Sequence, residues 1–441
     1  MNTVTDTIAP VSTMSLRPRQ AALDAGHWAV WVGVAVIFVA LPYVFTRSAS
    51  LSLMSQMGAM IVLGLSYNML LGQTGMLSFG HAVYSGLGAY FAIHALNMVG
   101  NGTLGIPVSL IPLVGGVFGA VFGLLFGWIT TKRAGTTFAM ISLGIGELVH
   151  TVAMMFPDFF GGEGGIYTDR VAGEPFMGIT FGPAIQVYYL VAVWTFVAML
   201  AMYAFTRTPL GRIANAVRDN PERAEFIGYN PRRVRFLVLT LSAFFAGIGG
   251  GLLVMIFEIV NAENVGALRS AGMLLATFIG GTAFFFGPVL GALVFVFFSV
   301  ALSEHTFAWQ LYLGIFFVLL VMFAPGGLAG LIASVLTAMR SGYARTLRGP
   351  GLSALVAVLL FAVPVIILIE MTYGISWSDM ARTQISLFGV VFDATNPVSW
   401  LVAAAWAIVA TILLWRTGRS LGRAWTDVQG RIADDIQKGR A

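Results

Sequence analysis

The side chains that could carry chemistry are few in this chain, and they form no reactive group. The sequence has no cysteine, which excludes thiol catalysis, disulfides and cysteine-ligated metal sites. The motifs H-E-x-x-H and G-x-S-x-G do not occur. The five histidines show no metal-ligand spacing with carboxylates; they are His27, His81, His94, His150 and His305. We therefore predict that the chain is not an enzyme and holds no metal ion.

The sequence also lacks the residues that bind nucleotides or relay protons. Its only lysines are Lys132 and Lys438, and neither follows a glycine, so the motif G-x-x-x-x-G-K-[ST] cannot be written. Among the acids of the apolar segments, Glu147 lies inside a segment, and Glu258 and Glu370 lie near segment ends. A proton-coupled carrier usually contains a relay of buried ionisable groups. We predict that this chain holds no cofactor and that another subunit supplies energy.

The elements that position these residues are membrane helices. Of 441 residues, 58% are hydrophobic and only 10% are charged, and the mean hydropathy is +0.87. Soluble domains carry about 25% charged residues. We predict an all-α, polytopic membrane fold. The candidate spans are 28–46, 51–71, 76–98, 105–130, 134–156, 185–205, 236–257, 271–286, 289–304, 308–324, 352–372 and 398–415.

Basic residues orient these spans, because loops rich in arginine and lysine stay on the cytoplasmic side. Both termini then lie inside, together with Lys132-Arg133 and the loop 206–235, while the acidic loop 157–184 lies outside. We predict five parts: a cytoplasmic tail (1–27), a transmembrane domain (28–331), a basic hinge (332–350), a two-span extension (351–415) and a charged cytoplasmic tail (416–441).

The loop from Thr206 to Arg235 is too long and too patterned to be a plain connector. It carries three acids and seven arginines, namely Arg207, Arg212, Arg218, Arg223, Arg232, Arg233 and Arg235. Its pattern predicts a short helix, a polar turn and a second helix, which suits a docking surface for a cytoplasmic partner. A solvated basic loop near anionic lipid explains the charge equally well.

Glycine placement predicts how the helices meet. A four-residue repeat, formed by Gly115, Gly119, Gly123 and Gly127, lets a second helix approach closely. We favour packing within the chain over a subunit interface. Two further clusters, 72–81 and 280–288, interrupt apolar runs in opposite halves of the transmembrane domain. Paired broken helices indicate an inverted repeat with a pathway between the halves, although simple kinking is the alternative.

Five stretches resemble one known family, the LivM-like permeases of branched-chain amino acid ABC transporters. They are GLSYNMLLGQTGMLSFGHAVYSGLGAYFA (64–92), TTFAMISLGIGELVH with FGGEGGI (136–150, 160–166), TPLGRIANAVRDNPERAEFIGYNPRRVRFLVLTLSAFFAGIGGGL (208–252), IGGTAFFFGPVLGAL (279–293) and WQLYLGIFFVLLVMFAPGGLAGL (309–331). The resemblance covers roughly residues 28–331, and residues 332–441 extend beyond the usual end of the family.

The resemblance implies an importer in the bacterial inner membrane. Its parts would be this chain, a second LivH-like permease, two cytoplasmic ATPases that hold ATP and magnesium, and a periplasmic solute-binding protein. Branched-chain amino acids are the expected solutes; urea, short amides and aromatic or other carboxylates are alternatives within the family. A carrier or channel acting alone is the alternative from another class.

The resemblance also suggests residue roles. Expected ATPase-coupling residues are Gly211, Ala214, Asn215, Ala216, Arg218, Asp219, Asn220 and Gly228. Candidate pathway residues are Gln73, Thr74, Ser78, His81, Thr137 and Thr282. The broken-helix glycines are Gly72, Gly75, Gly80, Gly280, Gly281 and Gly287, and Glu163 is a candidate contact for the binding protein. For His81 and Glu147, packing between helices is favoured over contact with solute.

Overall fold

The computed structural model describes residues 20–173, 178–340, 344–376, 384–387 and 390–437, which are mostly helical. The first helices are α1 (Gln20–Val44), α2 (Ser48–Thr74), α3 (Ala82–Gly100), α4 (Ile111–Thr130), α5 (Thr136–Met155), α6 (Pro157–Phe160) and α7 (Ala184–Arg207). Then follow α8 (Pro209–Asp219), α9 (Pro221–Phe226), α10 (Pro231–Phe257), α11 (Ala267–Gly280), α12 (Gly287–Val296), α13 (Trp309–Phe323), α14 (Gly327–Arg340), α15 (Ala344–Ser376) and α16 (Pro397–Gln437).

Short elements complete the chain. Strands β1 (Ile166–Tyr167) and β2 (Ile259–Val260) pair antiparallel, as do β3 (Gln384–Leu387) and β4 (Val390–Asp393). Two 3₁₀ turns cover Val108–Leu110 and Ala262–Val265, and a π-helical turn, Phe297–Leu302, continues α12.

Seven helices of the described chain are long and apolar enough to cross a membrane: Ser48–Thr74, Val108–Thr130, Thr136–Met155, Ala184–Arg207, Pro231–Phe257, Arg348–Tyr373 and Pro397–Val428. The pair α13 and α14, bent by 46° at their junction, would make an eighth. Trp28–Val44, Ala267–Gly280 and Gly287–Leu302 are shorter apolar helices. Each predicted span overlaps a helix, and the all-α polytopic fold is confirmed. The count falls below twelve because Trp28–Val44, α11 and α12 are too short, α13 qualifies only together with α14, and α3 does not qualify.

Helix α10 forms the centre of the bundle, and 72% of its apolar span is buried. The glycine repeat of α4 faces it: a Cβ at Gly119 would collide with the carbonyl oxygen of Ala243, and one at Gly123 would lie 2.6 Å from the Ala243 Cβ. Gly247 of α10 lies equally close to the backbone of Gly115. The repeat therefore brings two backbones of the same chain together, as predicted.

The first glycine cluster ends α2 and leaves an extended segment inside the bundle. Gly75 caps α2 with a φ of 69°; its N–H donates to the carbonyl oxygen of Leu71 at 3.0 Å, and the Met76 N–H donates to that of Leu70 at 3.2 Å. Residues 76–78 are non-helical, and residues 79–81 form a turn that leads into α3. At Gly80 a Cβ would collide with the carbonyl oxygen of Ser142, so the segment passes directly against α5. Non-helical backbone at membrane depth requires such protein cover.

The second glycine cluster breaks the chain between α11 and α12 and lies beside the first. Gly281 has a φ of 104°, and Gly280 and Gly287 meet backbone to backbone. A Cβ at Gly72 would lie 2.7 Å from the carbonyl oxygen of Thr282. Both predicted helix breaks are therefore present and adjacent. The inverted repeat that they suggested stays a prediction.

The C-terminal extension is a hairpin of α15 and α16. Its core contains the buried residues Ile367, Met371, Ala394 and Ala403. The carboxylate of Glu370 accepts hydrogen bonds from Thr306 Oγ1 (2.6 Å) and Tyr312 Oη (2.9 Å), which ties α15 to the transmembrane domain beside α13.

The predicted domain borders fall inside helices. Residues 332–340 belong to α14 and 344–350 to α15, so the expected hinge is helical on both sides of 341–343, which lie outside the described residues. The border at 415 lies within α16, which continues to Gln437, and the border at 27 lies within α1. Residues 1–19 and 438–441 lie outside the described residues.

Candidate functional site

Three capped helix starts shape the basic loop 206–235. The side chain of Thr208 accepts the Gly211 N–H at 3.2 Å at the start of α8. Asn220 accepts the Arg223 N–H at 2.9 Å at the start of α9, and Asn230 accepts the Arg232 N–H at 3.0 Å at the start of α10. In each case the next residue is a proline, which suits the first position of a helix. The predicted helix, turn and second helix are present.

Helix α8 lies against the bundle with one face and exposes the other. Gly211, Ala214 and Val217 are buried, while Arg212 and Ala216 are exposed. A Cβ at Gly211 would collide with the carbonyl oxygen of Phe205, so only glycine allows α8 to start this close to α7. The small size of Gly211 and Ala214 therefore serves contact with the bundle. In this conformation neither residue is available to a partner, contrary to what we expected for Ala214.

Arg218 links α8 to the first helix break. Its guanidinium donates a hydrogen bond to the carbonyl oxygen of Gly72 and pairs with Asp219 at 2.9 Å. A Cβ at Gly75 would lie 3.1 Å from Arg218 Cγ, so glycine leaves room there for the arginine stem. The basic loop and the unwound end of α2 are thus in direct contact.

An exposed apolar tip follows α9. The side chain of Phe226 is 90% exposed, that of Ile227 66% and that of Tyr229 43%, and Gly228 between them has a φ of 92°. Exposed aromatic residues surrounded by charge mark protein contact sites better than charge alone. Sequence reasoning named Gly228 but missed Phe226, Ile227 and Tyr229, although the apolar letters FIGY inside a basic loop were a usable signal.

Other basic residues gather at the same end of the bundle, which we term the loop end. The Arg232 guanidinium lies 5.0 Å from the centre of the Trp128 ring, and the Lys132 ammonium lies 6.0 Å from it. The short loop after α4 and the start of α10 are therefore neighbours. Because α10 runs from Pro231 to Phe257, the loop 157–173 and the segment 258–266 lie at the opposite end, the far end.

Four pathway candidates from the first break lie within the bundle. Thr74, Ser78 and His81 are at most 3% exposed, and Gln73 is half-buried with a buried, unpartnered Oε1 atom. His81 Nε2 and Ser66 Oγ are hydrogen-bonded at 3.1 Å. The His81 ring also contacts Tyr67 and Tyr84 edge to face. This is the packing role that the sequence favoured for His81.

The remaining two pathway candidates lie apart from these four. Thr282 is half-buried at the second break, beside Gly72. Thr137 is exposed near the start of α5, the core span with the lowest buried share, 33%. The structure therefore does not bring the six candidates together in one pocket. Glu147 is also exposed on α5, and within the described residues its carboxylate makes no hydrogen bond or ion pair, so it does not anchor two helices.

The far end is organised around an ion pair. Arg170 Nη1 lies 3.2 Å from Glu258 Oε2, and it also donates to the carbonyl oxygens of Met255 and Ile256 at the end of α10. The loop 157–173 is thereby fixed to α10, together with the β1–β2 pair. Glu163 lies in the glycine-rich turn of this loop and is exposed. Glu174, one of the acids of the loop 157–184, lies outside the described residues.

More than half of this chain matches a known protein family. Residues 49–325 match the family described as the permease component of the branched-chain amino acid transport system. The chain belongs to this permease family. It is a multi-pass membrane protein and a permease subunit of an ABC importer.

Relatives of the permease are known by sequence. It is 27% identical over 319 residues to the high-affinity branched-chain amino acid transport system permease protein LivM of Escherichia coli (strain K12). The aligned region covers 67% of this chain and 73% of that relative. It is 25% identical to the LivH permease protein of the same kind of system in Salmonella typhimurium, over 54% of this chain and 78% of the relative. No solved structure matches the permease.

The permease offers no metal site in its described part. No group of three histidine, aspartate or glutamate side chains there lies close enough to hold an ion.

Proposed function

We propose that this permease imports branched-chain amino acids together with a second, LivH-like permease, two cytoplasmic ATPases and a periplasmic binding protein. The hydrogen bond between Arg218 and the carbonyl of Gly72 carries this proposal, because it joins a loop suited to partner contact to an unwound membrane segment. The nucleotide and its magnesium ion belong to the ATPases, and this chain holds no cofactor of its own.

The loop end has the properties of an ATPase-docking surface. Helix α8 rests on the bundle through Gly211, Ala214 and Val217, so a push on its outer face moves the bundle with it. The outer face presents Asn215, Ala216, Asp219 and Asn220, and the exposed tip presents Phe226 and Ile227 beside Gly228. An aromatic side chain in a partner pocket, with a polar rim around it, is the usual anatomy of a strong contact.

The coupling has a physical route from this surface to the membrane. When nucleotide binding closes the ATPases, α8 and α9 move as one unit, because the Asn220 cap joins them. Arg218 then pulls on the carbonyl of Gly72, where Gly75 already ends the helix. The extended segment 76–81 gives α2 and α3 freedom to shift relative to one another. The two breaks lie side by side, so a shift at one reaches the other.

The proposed solutes follow from the relatives, whose names specify branched-chain amino acids. The proposed orientation follows from charge, since the basic residues at the loop end belong in the cytoplasm. Both termini then lie in the cytoplasm of a bacterium, in its inner membrane, and Glu163 at the far end faces the binding protein.

The test is co-purification and uptake in one strain. This chain, tagged and expressed with its partner genes, should bring down a second permease and two ATPases, and should restore uptake of radiolabelled leucine to a deletion strain. Phe226→Ser should reduce ATPase recovery at least about tenfold, because truncating an interface anchor costs about 2 kcal/mol or more. Leu268→Ser is the matched control, since Leu268, near the start of α11, is 82% exposed at the far end of the bundle.

Three results would contradict the proposal. The first is unaided transport by the purified chain in vesicles, which would make it a lone carrier or channel. The second is full ATPase recovery with Phe226→Ser. The third is uptake of urea, a short amide or an aromatic carboxylate in place of leucine, which would keep the assembly and replace the solute.

A further inference from the structure

The exposed half of α5 is divided lengthwise into a polar and an apolar strip. At about 100° per residue, the polar strip spans an arc of about 80°. All its members are exposed: Thr137, Glu147 and Thr151 supply the polar side chains, and Met140, Gly144 and Met155 lie in the same arc. The neighbouring apolar strip, about 60° wide, consists of Ile141, Ile145, Leu148 and Val152. The buried face packs through Phe138, Ser142, Gly146, Val149 and Ala153; it lies opposite the polar strip and next to the apolar strip.

A helix side that faces lipid has no reason to be divided in this way. Glu147 lies about 12 Å from the nearer end of α5 at 1.5 Å per residue, which places it well inside the apolar layer. A carboxylate at such depth costs about 2.5–3.5 kcal/mol when it faces lipid. Within the described chain it has no ion pair or hydrogen-bond partner that would offset this cost. The strip therefore faces water or another protein.

The rest of the polar strip favours water. Thr137 and Thr151 extend it over about 21 Å, from the loop end to the far end. Gly144 has no atom within 4 Å of the position of a Cβ, so the middle of the strip is open. One buried ion pair with a partner subunit would need a single acid. It would not need a threonine hydroxyl on each side of that acid along the same strip.

The polar groups of the first helix break cannot take this place, because the bundle covers them. Thr74, Ser78 and His81 are at most 3% exposed. The polar strip of α5 thus carries three polar side chains, those of Thr137, Glu147 and Thr151, that the described core spans leave open. It adjoins the break, since Ser142 on the buried face of α5 accepts the Phe79 N–H at 3.0 Å.

We infer that the polar strip of α5 lines the aqueous translocation path and that the Glu147 carboxylate binds the ammonium group of the passing solute. This inference rests on the proposed function for the nature of the solute. A carboxylate in a confined, partly desolvated path attracts a cationic group and repels a free carboxylate. The path is thereby selective for solutes that carry an amino group over uncharged solutes and simple acids.

The first test measures water along α5 and needs no knowledge of the solute. The natural chain has no cysteine, so single cysteines can be introduced directly. In membranes that contain the assembled importer, a membrane-impermeant thiol reagent should modify Thr137→Cys, Gly144→Cys and Thr151→Cys. It should modify Ile141→Cys, Ile145→Cys and Leu148→Cys at least tenfold more slowly. Equal rates on the two strips would overturn the assignment of the path.

The second test concerns the charge. Glu147→Gln keeps size and hydrogen bonding but removes the charge, so we expect kcat/KM for amino-acid uptake to fall about 10- to 100-fold, as for loss of a charged hydrogen bond. Glu147→Asp should retain uptake within a few-fold. ATPase recovery and ATP hydrolysis stimulated by the binding protein should stay normal in both variants. Unchanged uptake with Glu147→Gln overturns the role of Glu147.

The two tests separate this inference from the proposed function. If the wild-type importer takes up no amino acid while the polar strip is labelled, the proposed solute fails and the path assignment stands. If amino-acid uptake is normal and the strips are labelled equally, the importer stands and the inference fails.

Discussion

The guanidinium of Arg218 donates a hydrogen bond to the backbone carbonyl of Gly72, 146 residues earlier in the chain. One partner lies on a short amphipathic helix outside the spans, and the other lies in the last turn of α2, just before the chain unwinds. A side chain that bonds to a backbone carbonyl at a helix end can transmit a displacement, because the carbonyl has no helical partner there. We propose that force from the ATPases enters the membrane domain at the loop end, through this contact.

Arg218→Ala should uncouple ATP hydrolysis from transport while the subunits of the importer stay assembled. Removing a charged hydrogen bond costs about 1.5–3 kcal/mol, so uptake should fall about tenfold or more while the ATPases still co-purify. Arg218→Lys should recover part of the activity, because it keeps one charged donor. The measurement is uptake alongside ATP hydrolysis in proteoliposomes. Loss of uptake with unchanged ATPase recovery and increased futile hydrolysis is expected; unchanged uptake for Arg218→Ala would contradict the coupling route.

The contact between α4 and α10 predicts a sharp difference between two glycines. Gly119→Ala places a methyl group against the carbonyl oxygen of Ala243 and should destabilise the permease by about 1–3 kcal/mol, as overpacking does. Gly144→Ala meets open space and should leave stability unchanged or slightly raised. Thermal unfolding of the purified permease in detergent compares them. A melting temperature equally low for both variants would show that the repeat does not act through close packing.

The two helix breaks should differ in their tolerance of a side chain. Gly75 has a left-handed φ of 69° with limited room, so Gly75→Ala should cost about 1–2 kcal/mol. Gly281 has a φ of 104°, and its Cβ would also collide with the carbonyl oxygen of Gly326. Gly281→Ala should therefore lower the yield of folded, monodisperse permease far more than Gly75→Ala. Size-exclusion chromatography of both variants decides this, and equal yields would refute the difference.

Attachment of the C-terminal hairpin should depend on Glu370. Thr306→Val combined with Tyr312→Phe leaves the carboxylate without its two donors, and an unsatisfied buried charged group costs about 1–3 kcal/mol or more. Glu370→Leu removes the charge and leaves no unsatisfied carboxylate, so it should be better tolerated than the double variant. The readout is the melting temperature of the permease. Greater damage from Glu370→Leu would mean that the hairpin is held in some other way.

The sequence could predict the features that depend on residues close together in the chain. Apolar runs, helix caps such as Asn220-Pro221, and the spacing of Gly115 and Gly119 act through neighbours a few residues away. Span positions, the helix–turn–helix form of the loop and packing of α4 within the chain were therefore all accessible. Ala214 was expected to supply contact surface, but the bundle buries it, and the sequence does not show which face of this amphipathic helix the bundle covers.

Only the tertiary structure decided which distant residues meet. The sequence by itself determined a polytopic helical permease, two glycine-rich breaks and an arginine-rich loop. Hydropathy and chain flexibility depend only on the residues within each segment. It did not determine that Arg218 reaches Gly72, that His81 is enclosed while Thr137 is open, or that Glu147 is left on an unpaired face. Those relations depend on how helices far apart in the chain pack against one another. The residue spacing within a single segment does not reveal that packing.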